Sequence, residues 1–64
     1  MIKVTKFDNK EIFINAELIL YVEEKPDTII TLSTGEVIIV REKAEEIVER
    51  VLDYKKKIYN LKGR

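Results

Sequence analysis

The residue types that usually perform catalysis are scarce in this 64-residue chain. It contains no histidine and no cysteine, which removes imidazole acid–base steps, thiolate nucleophiles and zinc sites built from these residues. Its one serine, Ser33, falls in a predicted hairpin turn, and its two glycines, Gly35 and Gly63, do not form a phosphate-binding loop. We therefore predict no catalytic, cofactor-binding or metal-ligating residue, and a protein that is not an enzyme.

Adjacent carboxylates are the remaining candidates for acid–base chemistry. Glu23 and Glu24 fall in a predicted strand, where neighbouring side chains point to opposite faces. Glu45 and Glu46 fall in a predicted helix, where they are about 100° apart and solvated. Neither pair is expected to act as a catalytic dyad.

Charge is unevenly distributed although the net charge is zero, from 12 basic and 12 acidic residues. Residues 1–52 carry a net charge of −4 and residues 53–64 a net charge of +4. Basic side chains at a helix end complement the helix dipole; alternatively, they bind an anionic surface such as an acidic protein, phospholipid headgroups or nucleic acid. The candidate partner-binding residues are Lys55, Lys56, Lys57, Lys62 and Arg64.

Four apolar runs, at residues 12–14, 18–22, 29–32 and 37–40, lack the alternation of a half-exposed strand. Such runs are typical of strands that are buried on both faces. One helix can cover only one face, and a chain this small has little core to stabilise it. We therefore predict a homo-oligomer.

The local pattern predicts strands at residues 2–7, 11–15, 19–25, 28–32 and 37–40. Asn9 and Gly35 suit turns that need left-handed backbone. Asn15 is placed to cap one helical turn before the third strand. The predicted fold is α+β, a small antiparallel β-sheet of four to five strands followed by one long C-terminal α-helix.

A helical period begins near residue 43 and continues to about residue 60. Val48 widens its apolar stripe, whereas Leu52 and Tyr59 lie off it. Such a helix is about 27 Å long and extends beyond strands of five or six residues. Its last turns either fray or contact another subunit, and the candidate self-association residues are Ile47, Val51, Tyr54, Ile58 and Leu61. The chain is interpreted as one domain at 1–64, with the sheet at 1–41, the helix at about 43–60 and a basic tail at 55–64.

The compartment is also suggested by the sequence. No apolar run approaches the roughly 20 residues of a membrane span, and the first residues lack the pattern of a signal peptide. The absence of cysteine fits a reducing compartment. These features favour a cytoplasmic protein.

Short strands followed by one helix, with the string at residues 41–50, are similar to the carbon storage regulator family of dimeric RNA-binding proteins. That resemblance implies a small RNA-binding regulator as an alternative function. Phosphate binding needs a coherent basic stripe, however, and the body of this chain is acidic.

A second resemblance covers residues 1–58 without a gap. It is carried by residues 1–5, by residues 14–19, by Pro-Asp-Thr-Ile-Ile-Thr-Leu at 26–32 followed by Thr34 and Gly35, and by residues 40–42. These segments closely resemble the FlbD (SwrD) family of small bacterial flagellar proteins. The chain departs from the family pattern at Asn9, where glycine is usual, and at Lys43, where a serine-like cap often precedes the helix.

The FlbD resemblance implies a cytoplasmic accessory of the flagellum, acting at or near the flagellar base. It implies protein–protein contact with a motor or stator component that supports motor power, and no enzymatic role or cofactor. A structural subunit of a flagellar assembly is the other function that this resemblance leaves open.

Overall fold

The computed structural model describes the backbone of residues 1–62 and the side chains of residues 1–59. Over this range the chain forms five strands, one 3₁₀ turn and one helix. They are β1 (Ile2–Thr5), β2 (Glu11–Ile14), the 3₁₀ turn (Ala16–Leu18), β3 (Ile19–Glu24), β4 (Thr28–Leu32), β5 (Val37–Val40) and α1 (Ala44–Lys62). The predicted α+β class is confirmed.

The strands form two antiparallel sheets, whereas the sequence predicted one. β1 pairs with β2 as a hairpin, and β3, β4 and β5 form a three-stranded meander. The 3₁₀ turn separates the two sheets along the chain. They meet where Lys6 bridges to Val40 and the backbone N–H of Arg41 donates to the carbonyl of Thr5 at 2.8 Å. This junction lets the hairpin lean over the meander and share one core with it.

The core lies between the inner faces of both sheets and α1. Alternate positions of each strand point inward, as the register pairs Val4 with Ile12 and Ile30 with Ile38. The most buried apolar residues are Ile2, Val4, Ile14, Ala16, Ile30, Leu32, Val40 and Ile47. With this small set covering one face of each sheet, the other faces are left to solvent.

Turn chemistry follows the sequence closely. Asn9 has φ of 69° and Gly35 has φ of 97°, both in the left-handed region. Asn15 Oδ1 accepts the backbone N–H of Glu17 at 3.0 Å and so caps the 3₁₀ turn. The Lys25–Pro26 peptide bond that leads into β4 is cis.

The first turn of α1 is capped without a serine or threonine. Glu46 Oε1 accepts the backbone N–H of Lys43 at 3.1 Å, which is one half of a capping box. Glu24, at the end of β3, accepts the N–H of Ala44 at 2.9 Å. A carboxylate from the sheet thus supplies the cap that position 43 lacks, and fixes where the helix begins relative to β3.

Candidate functional site

The outer face of the three-stranded sheet is apolar and uncovered in this structure. Cross-strand partners form two rows on it, Tyr21–Thr31–Val37 and Glu23–Ile29–Ile39. Tyr21, Val37 and Ile39 are exposed, and Ile29 and Thr31 are half-buried. We call these six residues the outer sheet face; its one charged member is Glu23.

This face has the chemistry of a protein-binding surface. Monomeric proteins rarely expose large contiguous apolar patches, and such patches mark sites that bind proteins, membranes or ligands. RNA recognition would instead need basic and aromatic side chains together along the strands. The outer sheet face carries a glutamate and no lysine or arginine, so the RNA-binding alternative is not favoured.

A second apolar surface lies between β3 and α1. Leu20, Val48 and Leu52 line a groove of about 300 Å³, with Val22 and Val51 among the residues below them. Val48 is 51% exposed and Leu52 is 55% exposed. Tyr59, seven residues beyond Leu52, is also exposed. We call Leu20, Val48, Leu52 and Tyr59 the helix–groove surface.

The predicted self-association stripe is largely occupied by contacts within the chain. Ile47 is 0% exposed and belongs to the core, and Val51 and Tyr54 pack against that core. Ile58 is half-buried, and Leu61 lies outside the described side chains. Since Ile47 is fully enclosed, an outer surface on this helix consists of its neighbours Val48 and Leu52. Their signal was present in the sequence, where Leu52 and Tyr59 are off the main stripe and seven residues apart.

Three of the five basic candidates, Lys55, Lys56 and Lys57, lie on the second half of α1. Lys55 Nζ is 3.9 Å from Glu17 Oε2, which ties the helix to the 3₁₀ turn. Lys56 and Lys57 are exposed. Lys62 and Arg64 lie outside the described side chains. The described lysines come after the first half of α1, which carries Glu45, Glu46, Glu49 and Asp53. The helix is therefore acidic at its start and basic toward its end.

A buried carboxylate joins the hairpin to α1, and the sequence did not predict it. Glu42 is 9% exposed. Its Oε1 and Oε2 accept the backbone N–H of Thr5 at 2.9 and 3.0 Å, and Oε2 also accepts the Thr5 hydroxyl at 2.9 Å. Arg50 Nη1 lies 3.0 Å from Glu42 Oε2 and 2.6 Å from the carbonyl oxygen of Lys3. Glu42 and Arg50 thus form hydrogen bonds with the backbone N–H of Thr5 and the carbonyl of Lys3 on the outer edge of β1, where another strand would otherwise pair.

Hydrogen bonding keeps Glu42 ionised. Burial acts to raise the pKa of this carboxyl, but the bonds from the Thr5 backbone and hydroxyl, with the one from Arg50, outweigh burial and leave its pKa below the ordinary value. The group is therefore a structural anion rather than a proton carrier at neutral pH.

The paired carboxylates are separated by the fold. Glu24 turns toward the start of α1 and its Oε2 lies 3.9 Å from Lys43 Nζ, whereas Glu23 belongs to the outer sheet face. Glu46 lies 4.0 Å from Arg50. Within residues 1–59, acidic side chains do not gather in a group of three that could hold a metal ion.

Comparison with known proteins adds what the geometry lacks. The family model FlbD, described as flagellar and swarming motility proteins, matches residues 1–59. The chain belongs to the FlbD family. Both apolar surfaces and the Glu42 contacts lie within the matched residues. Searches of curated proteins and of solved structures found no match.

Membership of the FlbD family relates this chain to flagellar and swarming motility and confirms the resemblance inferred from its sequence. Among the described residues, no helix is both long enough and apolar enough to cross a bilayer. The described part of this FlbD protein carries two apolar surfaces and a helix of divided charge.

Proposed function

We propose that this protein supports flagellar motility as a cytoplasmic accessory at the flagellar base, where it contacts a motor or stator protein through its outer sheet face. The observation that carries the proposal is the exposed apolar area of that face. A chain of the FlbD family with such a surface is suited to bind a protein of the flagellar apparatus.

The apolar composition of the face defines the partner chemistry. Tyr21, Val37 and Ile39 suit an apolar segment of the partner, since aromatic and aliphatic anchors supply most of the affinity at protein interfaces. Glu23 at the edge of the face would pair with a basic group on the partner. The partner is therefore a protein with an apolar patch that has a lysine or arginine beside it.

The lysines of α1 are proposed as a secondary contact. Lys57 is exposed on the flank of the helix that faces away from the groove. It would bind an acidic cytoplasmic loop of the motor, or an anionic membrane surface, by long-range attraction. This contact would raise the association rate and orient the two proteins, whereas most of the affinity would come from the outer sheet face.

The test replaces the native gene in a motile bacterium by variants and measures swimming and swarming speed. Val37→Lys places a charge in the outer sheet face on the edge strand β5, where lysine is well tolerated by the fold. We expect motility close to that of a deletion strain, with normal protein abundance. Lys57→Glu is expected to lower motility less, because it removes the secondary contact alone.

Matched controls separate binding from folding and from charge. Phe13→Lys makes the same change at an equally exposed apolar residue on β2, and Lys10→Glu reverses a charge in the first hairpin turn. Both should leave motility unchanged. Full motility with Val37→Lys would refute the role of the outer sheet face, and full motility of the deletion strain would refute the proposed function as a whole.

A further inference from the structure

The helix–groove surface is a second unpartnered region, independent of the outer sheet face. We propose that it binds the same surface of a second copy of this chain, with the two α1 helices antiparallel. Leu20 belongs to β3 and the other three members of the surface to α1. The groove between these elements provides a recess of about 300 Å³ for side chains from the opposite helix.

Helical spacing sets the register of the proposed pair. Positions 48, 52, 55 and 59 are separated by 4, 3 and 4 residues, which places them on one line of the helix. When two such lines run in opposite directions, Val48 faces Tyr59 of the second copy and Leu52 faces its Lys55. The Lys55 ammonium is directed to Glu17, at 3.9 Å, so its aliphatic stem is what covers Leu52.

Charge selects the antiparallel direction. Glu45, Glu46, Glu49 and Asp53 against Arg50 give the first half of α1 a net charge of −3, whereas Lys55, Lys56 and Lys57 give the following turn a charge of +3. A parallel pair would align like charges along the whole contact. The antiparallel pair places Glu49 of each copy beside Lys56 of the other, because both lie on the same flank of the apolar line.

The exposed surface of the monomer is large enough to supply the interface. Val48, Leu52 and Tyr59 are 51%, 55% and 67% exposed, and Leu20 is 61% exposed. A standard interface takes about 800 Å² from each partner. The helix–groove surface, with the charged residues beside it, is one continuous region from β3 along α1 from which that area can come.

The experiment measures the dissociation constant of the purified full chain by sedimentation over a wide concentration range. The wild type is expected to form a dimer that dissociates on dilution. Leu52→Glu should weaken it roughly tenfold or more; since Leu52 is already 55% exposed, the monomer should remain folded. Phe13→Glu, the same type of change at an exposed residue on β2, should leave the dissociation constant unchanged.

Charge exchange tests the direction. Glu49→Lys and Lys56→Glu should each weaken the dimer about fivefold, and the double variant, or an equimolar mixture of the two single variants, should restore it. A monomer at every concentration overturns the proposal. A dimer that is insensitive to Leu52→Glu, or single charge variants that change nothing, would also overturn it, the second result by indicating a parallel pair or a different surface.

Discussion

Glu42 is a buried side chain that accepts hydrogen bonds at the edge of β1, where a neighbouring strand would otherwise supply the acceptor. A carboxylate with 9% exposure would destabilise the fold if it were unpaired. Here it accepts the N–H and the hydroxyl of Thr5, and Arg50 neutralises it. The same arginine donates a hydrogen bond to the carbonyl oxygen of Lys3. Together with the backbone N–H of Arg41, these two side chains bind the outer edge of β1, and they also link the hairpin to α1.

Replacing Glu42 by glutamine should lower the free energy of unfolding by roughly 2 kcal/mol at pH 7, since Arg50 and Thr5 lose a charged acceptor. The effect should depend on pH in one direction. Because the folded pKa of Glu42 is lowered, its contribution is complete above the unfolded pKa of about 4.3 and is lost as the pH falls through the folded value. Urea unfolding at several pH values should therefore show the wild type and the variant converging in acid.

The control for that measurement is Glu11→Gln. Glu11 forms an exposed pair with Lys3, at 3.6 Å, and such pairs contribute little. Its substitution should change stability by less than about 0.5 kcal/mol. A constant difference between wild type and the Glu42 variant from neutral to acid pH would contradict the assignment of Glu42 as the buried anion.

At the scale of elements, the start of α1 depends on a residue of the sheet. Glu24 accepts the N–H of Ala44 at 2.9 Å and thereby performs the task of an N-cap residue. Helices normally find that acceptor one position before their first residue. Here the helix and β3 are coupled at this point, so the first turn should form only when the meander is in place.

Glu24→Ala should cost about 1 kcal/mol of stability, the usual effect of removing a helix cap. Glu23→Ala, one residue away but on the outer sheet face, should change stability by less than half of that. Chemical unfolding followed by circular dichroism measures both. Equal effects of the two substitutions would mean that the cap at Ala44 contributes nothing.

The elements differ in how well the sequence predicted them, for a physical reason. β4 and β5 were predicted to the residue because Pro26 and Gly35 force turns at fixed places. β1 was predicted two residues too long, since its end is set by the junction with Val40 and Arg41 far along the chain. The division into two sheets and the Glu42 contact depend on pairs such as Thr5 and Glu42, 37 residues apart. Such contacts leave no periodic signal in the sequence.

The sequence predicted that the candidate surfaces would be apolar, but it did not predict which helical residues would be exposed on them. Apolar strands without alternation predicted burial on both faces of the sheet. In the structure both faces of the three-stranded sheet carry apolar side chains, but Tyr21, Val37 and Ile39 are exposed on the uncovered one. The helical stripe through Ile47 was interpreted as an outer surface, but periodicity alone cannot decide which of two adjacent apolar lines faces the chain's own core. The structure assigns the inner line to Ile47 and the outer one to Val48 and Leu52.

At the scale of the whole molecule, the part that the structure describes has two apolar surfaces, and β3 contributes to both. The outer sheet face is formed by β3, β4 and β5, whereas the helix–groove surface is formed by α1 with Leu20. A dimer built on the second surface leaves the first one open in both copies. Each dimer would then carry two sites for a flagellar partner, which raises the strength of attachment through the effective concentration of the second site.

The dimer should also be visible in the thermal stability of the chain. Dimerisation stabilises the folded chain because only folded copies associate. The wild-type melting temperature should therefore rise with protein concentration. A hundredfold increase should raise it by roughly 5 °C for a domain of this size. Leu52→Glu should show the same rise only at protein concentrations that are roughly tenfold higher or more, because its monomer is intact and its association is weakened. If the wild type itself melts at a concentration-independent temperature, the small core is sufficient without a second copy.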